Sequence, residues 1–309
     1  MDLRQIQYFI ALVEDGSMTR AAQRLNVVQP TLSMQLSKLE DELGQVLFER
    51  RKQGLQPTAA GRLMYRLFVP ILRQVDDAKA QLTQLSNVVT GQVSFGLLSS
   101  LAESILPEVL RRFHEIYPAI EVTISVGYST NLIDWVASGH LDAAVINKPR
   151  GKMSLATEMV AEEDMLLVAG KDQGPRFPAG IKLSRLAEMD FSLILPTRRH
   201  GLRGIIDATL HQEGIVLVPK FEVDALTAIF RVMETSNFVS ILPRILVQKA
   251  AMEGRLSICP ILSPSIMRQV VRIHHPGKPL TAPARALLDL VNDEIRKVLT
   301  LDGALGSLA

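Results

Sequence analysis

The sequence predicts an α/β protein with an all-α N-terminal part, on three observations. The first 60 residues show helical periodicity broken by short turns. Apolar residues then recur at spacings of four and three from Met64 to Leu85, and from about residue 90 short β-prone runs alternate with helical ones. At 309 residues, 47% hydrophobic and 21% charged, the chain can bury more than one core and lacks the polarity of a disordered protein. It offers no run of ~18 apolar residues for a membrane span, and the Ile6 to Val13 segment lacks a cleavage site, so neither export nor a membrane partner is expected. The single cysteine, Cys259, excludes an internal disulfide framework and fits a reducing cytoplasm.

The first helix is set by Leu3, Ile6, Phe9, Ile10 and Val13 and stops at Gly16. Ser17 suits the N-cap of a second, Met18 to Leu25. Pro30 favours a first helical turn, so a third helix should run from Gln29 or Pro30 to Leu43, ended by Gly44. Two helices joined by so brief a turn suggest a helix-turn-helix. On the third helix Leu32, Leu36, Leu39 and Leu43 form one apolar stripe, and the opposite face carries Pro30, Met34, Ser37 and Asp41, flanked by Thr31, Ser33 and Lys38. The acidic run Glu40, Asp41, Glu42 is held back to the last turn, so only the N-terminal half can approach phosphates. The expected contacts with double-stranded DNA are Ser17, Thr19, Gln29, Pro30, Thr31, Ser33, Met34, Gln35, Ser37 and Lys38. A solvated helix in a helical bundle is the alternative.

Val46, Leu47 and Phe48 on one side, and Leu55 and Gln56 on the other, flank a basic, Gly-ended turn. This fits a hairpin wing with Arg50, Arg51 and Lys52 at its tip, where cations suit backbone phosphates. Charge agrees: residues 1 to 90 hold eleven basic and nine acidic side chains, while the remainder balances, so the net +2 lies wholly in the first part. A solvated basic face would leave the same count.

From Thr58, a plausible N-cap, to about Val88 there is no strand pattern. Met64, Phe68, Ile71, Val75, Ala78, Leu82 and Leu85 average 3.5 residues apart, the period of a coiled-coil seam, and such a helix would span ~45 Å. Dimerisation is expected there, with Met64, Phe68, Ile71, Val75, Leu82 and Leu85 at the seam and Pro70 bending the helix. The alternative is a long helix packed on its own C-terminal domain.

Beyond residue 90, β-prone runs fall at Gln92 to Leu98, Ile120 to Val126, Ala143 to Asn147, Met165 to Ala169, Ser192 to Leu195, Val218 to Val223, Val239 to Leu242, Leu256 to Ile261 and Val270 to His274. Helical patterns such as Ile105 to Tyr117, Leu132 to Ser138 and Leu202 to Gln212 lie between them. This alternation predicts α/β units with mostly parallel sheets.

The segments Ala21-Ala22-Gln23-Arg24-Leu25, Gln29-Pro30-Thr31-Leu32-Ser33, Leu39-Glu40, Leu43-Gly44, Leu47-Phe48-Glu49-Arg50 and Thr58-Ala59-Ala60-Gly61 resemble the N-terminal signature of the LysR-type transcriptional regulators. Gly96, Leu106-Pro107, Phe113, Tyr117-Pro118, Gly139 and Leu141-Asp142-Ala143-Ala144 resemble that family's effector domain, so the likeness covers nearly the whole chain. It implies a winged helix-turn-helix (1–58), a linker helix used in dimerisation (59–89) and a two-lobed effector domain like periplasmic binding proteins (90–309). Lobe I would take about 90–162 and 267–309, and lobe II about 163–266. It also implies binding of promoter DNA as a homodimer or homotetramer, a small-molecule effector, and RNA polymerase as a further partner. Three positions depart from the pattern. Met34 and Ser37 stand where basic residues are common, which removes arginine's bidentate reading of guanine, and Pro57 replaces the usual leucine before Thr58.

In a two-lobed domain, strands leading into helix N-termini present unpaired N–H groups to the cleft. Three such junctions are legible, at Ser99 and Ser100, at Ser129 and Thr130, and at Thr197 to His200; the hinge is expected near Glu162 to Met165 and Ser265 to Arg268. The expected effector contacts are Ser99, Ser100, Ser129, Thr130, Asn147, Thr197, Arg198 and His200. The cations Arg198, Arg199, His200 and Arg203 beside one helix start suggest a carboxylate, sulfonate or phosphate effector. The hydroxyls could equally be ordinary N-caps, and the charges could face solvent or a neighbouring subunit.

His114, His140, His200, His211, His274 and His275 show no metal-ligand spacing, and nucleophile-elbow, Walker and dinucleotide motifs are lacking, so neither an enzyme nor a metal or other cofactor is expected. Glu162, Glu163 and Asp164 read as a solvated turn, and Cys259 as a packed small hydrophobe. The competing functional reading is a small-molecule binding or transport protein whose N-terminal helices serve assembly only.

Overall fold

The computed structural model describes residues 1–51, 54–83, 90–172, 177–189 and 191–300. It separates into two units: Met1–Gly91 with Ser138–His140, and Gln92–Ala137 with Leu141 onward.

In the first unit, α1 (Leu3–Asp15), α2 (Met18–Arg24) and α3 (Gln29–Leu43) precede a hairpin of β1 (Phe48–Arg51) and β2 (Gly54–Pro57) and then α4 (Ala59–Thr83). A capping box opens α1: the Asp2 carboxylate accepts from Gln5 N at 2.8 Å, and Gln5 Oε1 accepts from Asp2 N at 3.0 Å. Gly16, at φ 58°, closes it. Ser17 Oγ accepts from Arg20 N at 3.4 Å and starts α2, while α3 has no side-chain cap and relies on Pro30 in its first turn. Phe9, Leu12, Ala21, Leu32, Leu39 and Leu47 are almost wholly buried and form the centre of this core.

The expected stripe on α3 is one residue too long, because Leu43 is 39% exposed. Glu40 turns inward in that last turn instead, its Oε1 accepting from Leu47 N at 2.6 Å and Phe48 N at 3.3 Å. The carboxylate thereby satisfies the amides that lead into the hairpin. Thr58 caps α4, accepting from Gly61 N at 3.1 Å and donating to Val46 O at 2.7 Å. A Cβ at Gly61 would lie 2.2 Å from Leu47 O, so only glycine lets α4 pack this closely on the strand entry.

The second unit contains β3 (Gly91–Leu97), α5 (Ser99–Ile116), β4 (Ile120–Val126), α6 (Ser129–Ala137), β5 (Ala143–Asn147), β6 (Ala156–Gly170) and β7 (Ile181–Lys182). A 3-10 turn (Leu183–Glu188), β8 (Ser192–Leu195), α7 (Gly201–Gln212), β9 (Phe221–Glu222), α8 (Leu226–Glu234), β10 (Phe238–Pro243), α9 (Arg244–Met252), β11 (Leu256–Leu262), β12 (Met267–His274) and α10 (Ala282–Thr300) follow. The strand order is β4-β3-β5-β12-β6-β10-β8-β9, with β11 beside β6 and β7.

The sheet is mixed, which corrects the expectation of mostly parallel pairing. β3–β5, β8–β10, β8–β9 and β7–β11 are parallel, but β12–β5, β12–β6, β10–β6 and β11–β6 are antiparallel. The reversal comes from β6, a 15-residue strand whose first part pairs with β12 and whose last part lies between β10 and β11. It joins two lobes, and one apolar cluster draws its buried members from Met165 to Ile266. Only the C-terminal part of β6 was legible as a strand, because Glu158, Met159 and Glu162 on its first part are exposed. The Val218 to Val223 run shrinks to Phe221–Glu222, with Val216 and Val218 strongly exposed. Among the described residues no helix is long and apolar enough to cross a membrane.

Candidate DNA-reading face and effector cleft

The outer face of α3 matches the expected polarity of charge. Gln29, Pro30, Ser33, Met34, Ser37 and Lys38 are exposed, and Pro30, Ser33, Met34, Ser37, Lys38 and Asp41 line one shallow concavity. Thr19 Oγ1 donates to Gln29 Oε1 at 3.5 Å, tying the starts of α2 and α3 together. Thr31 is half-buried. Gln35 is also half-buried, and its Oε1 accepts from Gln5 Nε2 at 3.1 Å, so that part of its amide is engaged by α1 rather than free for a base edge.

In the hairpin Arg50 pairs with Leu55 and Arg51 with Gly54, so these two cations continue β1 to its end. Leu55 N donates to Gly16 O at 3.0 Å and fixes the hairpin against the turn between α1 and α2. The Arg50 and Arg51 side chains and Lys52 lie outside the described residues.

The seam on α4 needs correction at its upper end. Met64 is 5% exposed in the core of its own head, and Phe68 packs against the same cluster. Ile71, on the expected line, is exposed as a seam residue would be, while the other apolar side chains left open there, Leu63 and Leu67, lie one step round the helix from Met64 and Phe68. Val75 is half-buried; the Leu82 side chain and Leu85 lie outside the described residues.

In the second unit the three strand-to-helix junctions fall where expected. α5 opens at Ser99, with Ser100 buried behind it; α6 opens at Ser129; α7 opens at Gly201, capped by His200. Ser129 Oγ accepts from Asn147 N at 3.3 Å, which couples the start of α6 to the end of β5. Thr130 is exposed, and its Oγ1 donates to Asn131 Oδ1 at 3.4 Å. Thr197 donates to Asp224, and this bond, helped by the nearby Tyr128 hydroxyl, holds the Asp224 carboxyl below its usual range.

The expected cluster of cations at α7 is dispersed. Arg198 and Arg199 are exposed. Arg203 is buried and bonded to Pro196 O at 3.2 Å, Asp207 at 2.7 Å and Glu222 at 2.8 Å, so its charge is matched internally. His200 is no cation: burial pulls its pKa down to about 4, with Arg268 adding to the effect and Asp224 opposing it. Its Nδ1 accepts from Leu202 N at 3.2 Å, and its ring meets Tyr128 edge-on at 5.5 Å.

The most deeply buried cation among the described residues is instead Arg268, at the second hinge crossing, which was not among the expected effector contacts. It is 0% exposed, donating from Nε to Asn147 Oδ1 at 2.7 Å and from Nη1 to Glu163 Oε1 at 3.0 Å. Glu163 Oε2 accepts from Ile245 N, in the first turn of α9, at 2.8 Å. Glu163 is thus a buried strand residue and not part of a solvated turn, while Glu162 faces out to Gln269 and Asp164 reaches Arg244. Burial pushes the Glu163 carboxyl up and the Arg268 guanidinium down, each resisted by the other. The signal available in the sequence was an acid and a base at the two hinge crossings, which antiparallel pairing sets opposite each other.

A winged helix-turn-helix on a long helix, followed by a two-lobed α/β domain, defines a ligand-responsive DNA-binding regulator. Residues 3–62 match "Bacterial regulatory helix-turn-helix protein, lysR family", and residues 86–296 match "LysR substrate binding domain". The chain belongs to the LysR family of transcriptional regulators. It is 30% identical to the nitrogen assimilation regulatory protein nac of Klebsiella aerogenes over 244 residues, 79% of this chain and 78% of that one. With the hydrogen peroxide-inducible genes activator of Dickeya chrysanthemi it shares 26% over 299 residues, 96% of each. A full-length OxyR variant from Pseudomonas aeruginosa superposes with TM-score 0.72 at 25% identity, over 96% of this chain and 98% of the other. CbnR in complex with its target DNA has the same fold, with TM-score 0.71 at 23% identity over 96% and 100%.

Proposed function

We propose that the chain reads promoter DNA as a homodimer or homotetramer in the cytoplasm and reports to RNA polymerase the binding of a small anionic effector. The observation that carries the DNA part is the outer face of α3, whose first three turns are exposed without a carboxylate while Glu40 is drawn into the hairpin entry. Pro30, Ser33, Met34, Ser37 and Lys38 enter the major groove, and Arg50, Arg51 and Lys52 hold phosphates. With no arginine on that face, discrimination rests on Gln29, Thr31, Ser33, Lys38 and DNA shape. A gel shift with promoter-sized fragments at several salt concentrations tests this. A steep loss of affinity with salt, at a retained ratio between sequences, is the expected result, and equal binding to all fragments opposes it.

The effector is bound rather than reacted with. Several relatives are named for hydrogen peroxide, but the single cysteine here cannot close a disulfide within one chain. Cys259 is 0% exposed, its thiol donates to Pro178 O at 3.4 Å, and burial pushes its pKa up, which keeps it from the thiolate form that attacks peroxide. Anionic character follows from the buried guanidinium and the opening turn of α7.

A further inference from the structure

Resting on the reading of the second unit as an effector domain, we propose that Arg268, through its open Nη2, is the anchor for a carboxylate group of the effector. Arg268 is wholly buried, and Nη2 has no hydrogen-bond partner in the protein. The direction of that group follows from the planarity of guanidinium. Nε–H and one Nη2–H point the same way, as the two prongs of the fork that carboxylates recognise. Nε–H points at Asn147 Oδ1, so Nη2 opens on the same side. Asn147 is also the residue on which the two lobes converge: its backbone N–H meets Ser129, and its Nδ2 would be 2.7 Å from a Cβ at Gly201. One prong therefore holds a neutral amide oxygen and the other, on the same side, has no partner, and Asn147 links that side to Gly201 in the first turn of the 12-residue α7.

The existing counter-charge leaves this prong unmet. Glu163 gives one oxygen to Nη1 and the other to the N-terminus of α9, so neither is left for Nη2. The neighbouring His200 is neutral and competes for no anion. A ligand carboxylate would bridge Nη2 and the opening of α7, displacing the Asn147 amide from the fork or sharing it. Asn147 and Glu163 belong to different strands of the two lobes, so an occupant at Arg268 would act on the spacing between the α6 and α9 starts. Arg198 and Arg199, which are exposed, are not part of this anchor.

The test is a thermal-shift and calorimetric titration of the full chain with sodium acetate, oxalate and phosphate against sodium chloride at equal ionic strength. Acetate or oxalate should raise the Tm of the natural chain with increasing concentration, and Arg268→Lys should weaken that carboxylate by about tenfold or more, the worth of one charge-assisted hydrogen bond. The pair Glu163→Leu with Arg268→Met, which leaves no orphaned charge, should stay folded by circular dichroism and lose the effect. Arg198→Ala with Arg199→Ala should retain it. Stabilisation that survives in the Glu163→Leu/Arg268→Met protein, vanishes in the Arg198→Ala/Arg199→Ala protein, or is never seen with either carboxylate overturns the proposal. A gel shift on the same samples keeps the two readings apart: a chain that binds promoter DNA but no carboxylate refutes only the anchor, and one that binds carboxylate but no DNA refutes only the regulator.

Discussion

Glu163 on β6 and Arg268 on β12 sit opposite each other in the antiparallel register, their side chains meeting at 3.0 Å with 1% and 0% exposure. Removing one partner leaves the other buried and uncompensated, which typically costs about 3–5 kcal/mol, whereas replacing both by apolar residues of similar volume is often neutral. Glu163→Gln should therefore lower the urea midpoint sharply, while Glu163→Leu combined with Arg268→Met should unfold close to the natural protein. Equal losses from the single and the paired substitution would show that packing, and not charge pairing, sets the stability of this crossing.

His200 gives the domain an acid-side weakness. Its folded pKa of about 4 lies below the ordinary 6.5, so the folded chain binds fewer protons than the unfolded one between those values. The stability due to the neutral ring is complete above pH 6.5 and falls as pH drops toward 4, by ~3 kcal/mol over the full window. His200→Asn keeps an N-cap acceptor for Leu202 N and removes the titration. The slope of unfolding free energy between pH 6.5 and 4.5 should flatten in that variant. An unchanged slope would assign the acid sensitivity to carboxylates elsewhere.

Local chemistry makes much of this protein legible from its sequence. Gly16, Ser17, Pro30, Gly44 and Thr58 each mark a helix end by a backbone rule that needs no tertiary information, and all five do so in the structure. The junctions at Ser99, Ser129 and Gly201 were readable because a strand running into a helix leaves polar small residues at the turn. What escaped reading is long-range. The pairing of Glu163 with Arg268 spans 105 residues and depends on β6 crossing between lobes, and β6 was hidden because half its length faces solvent. Charge was misjudged for a related reason: Arg203 and His200 look cationic in the sequence, but burial and partners from Glu222, Asp207 and Leu202 decide what they are.

The wing offers a test by salt. Every phosphate that a protein neutralises on a duplex adds about 0.9 to the steepness with which log affinity falls against log salt. Replacing Arg50, Arg51 and Lys52 by alanine should therefore reduce the slope by about 3 if all three touch phosphates. Affinity should fall alike for operator and unrelated DNA, because backbone contacts carry no base information. A selective loss on the operator alone would place these residues in a groove, reading bases or minor-groove width.

The line of contact on α4 can be settled with exposed residues. Phe68→Asp, the change that the heptad pattern singles out, would damage the core against which Phe68 packs and so confound folding with assembly. Leu67 and Ile71 are 55% and 41% exposed, four residues apart on one face, and neither belongs to that core. Leu67→Asp with Ile71→Asp should leave the helical signal of the head intact while placing two charges in any helix–helix contact there. Sedimentation should then show a shift toward single chains, and operator affinity should fall because two linked heads bind far more tightly than one. If the double variant keeps the sedimentation coefficient of the natural protein, this face of α4 does not carry the dimer.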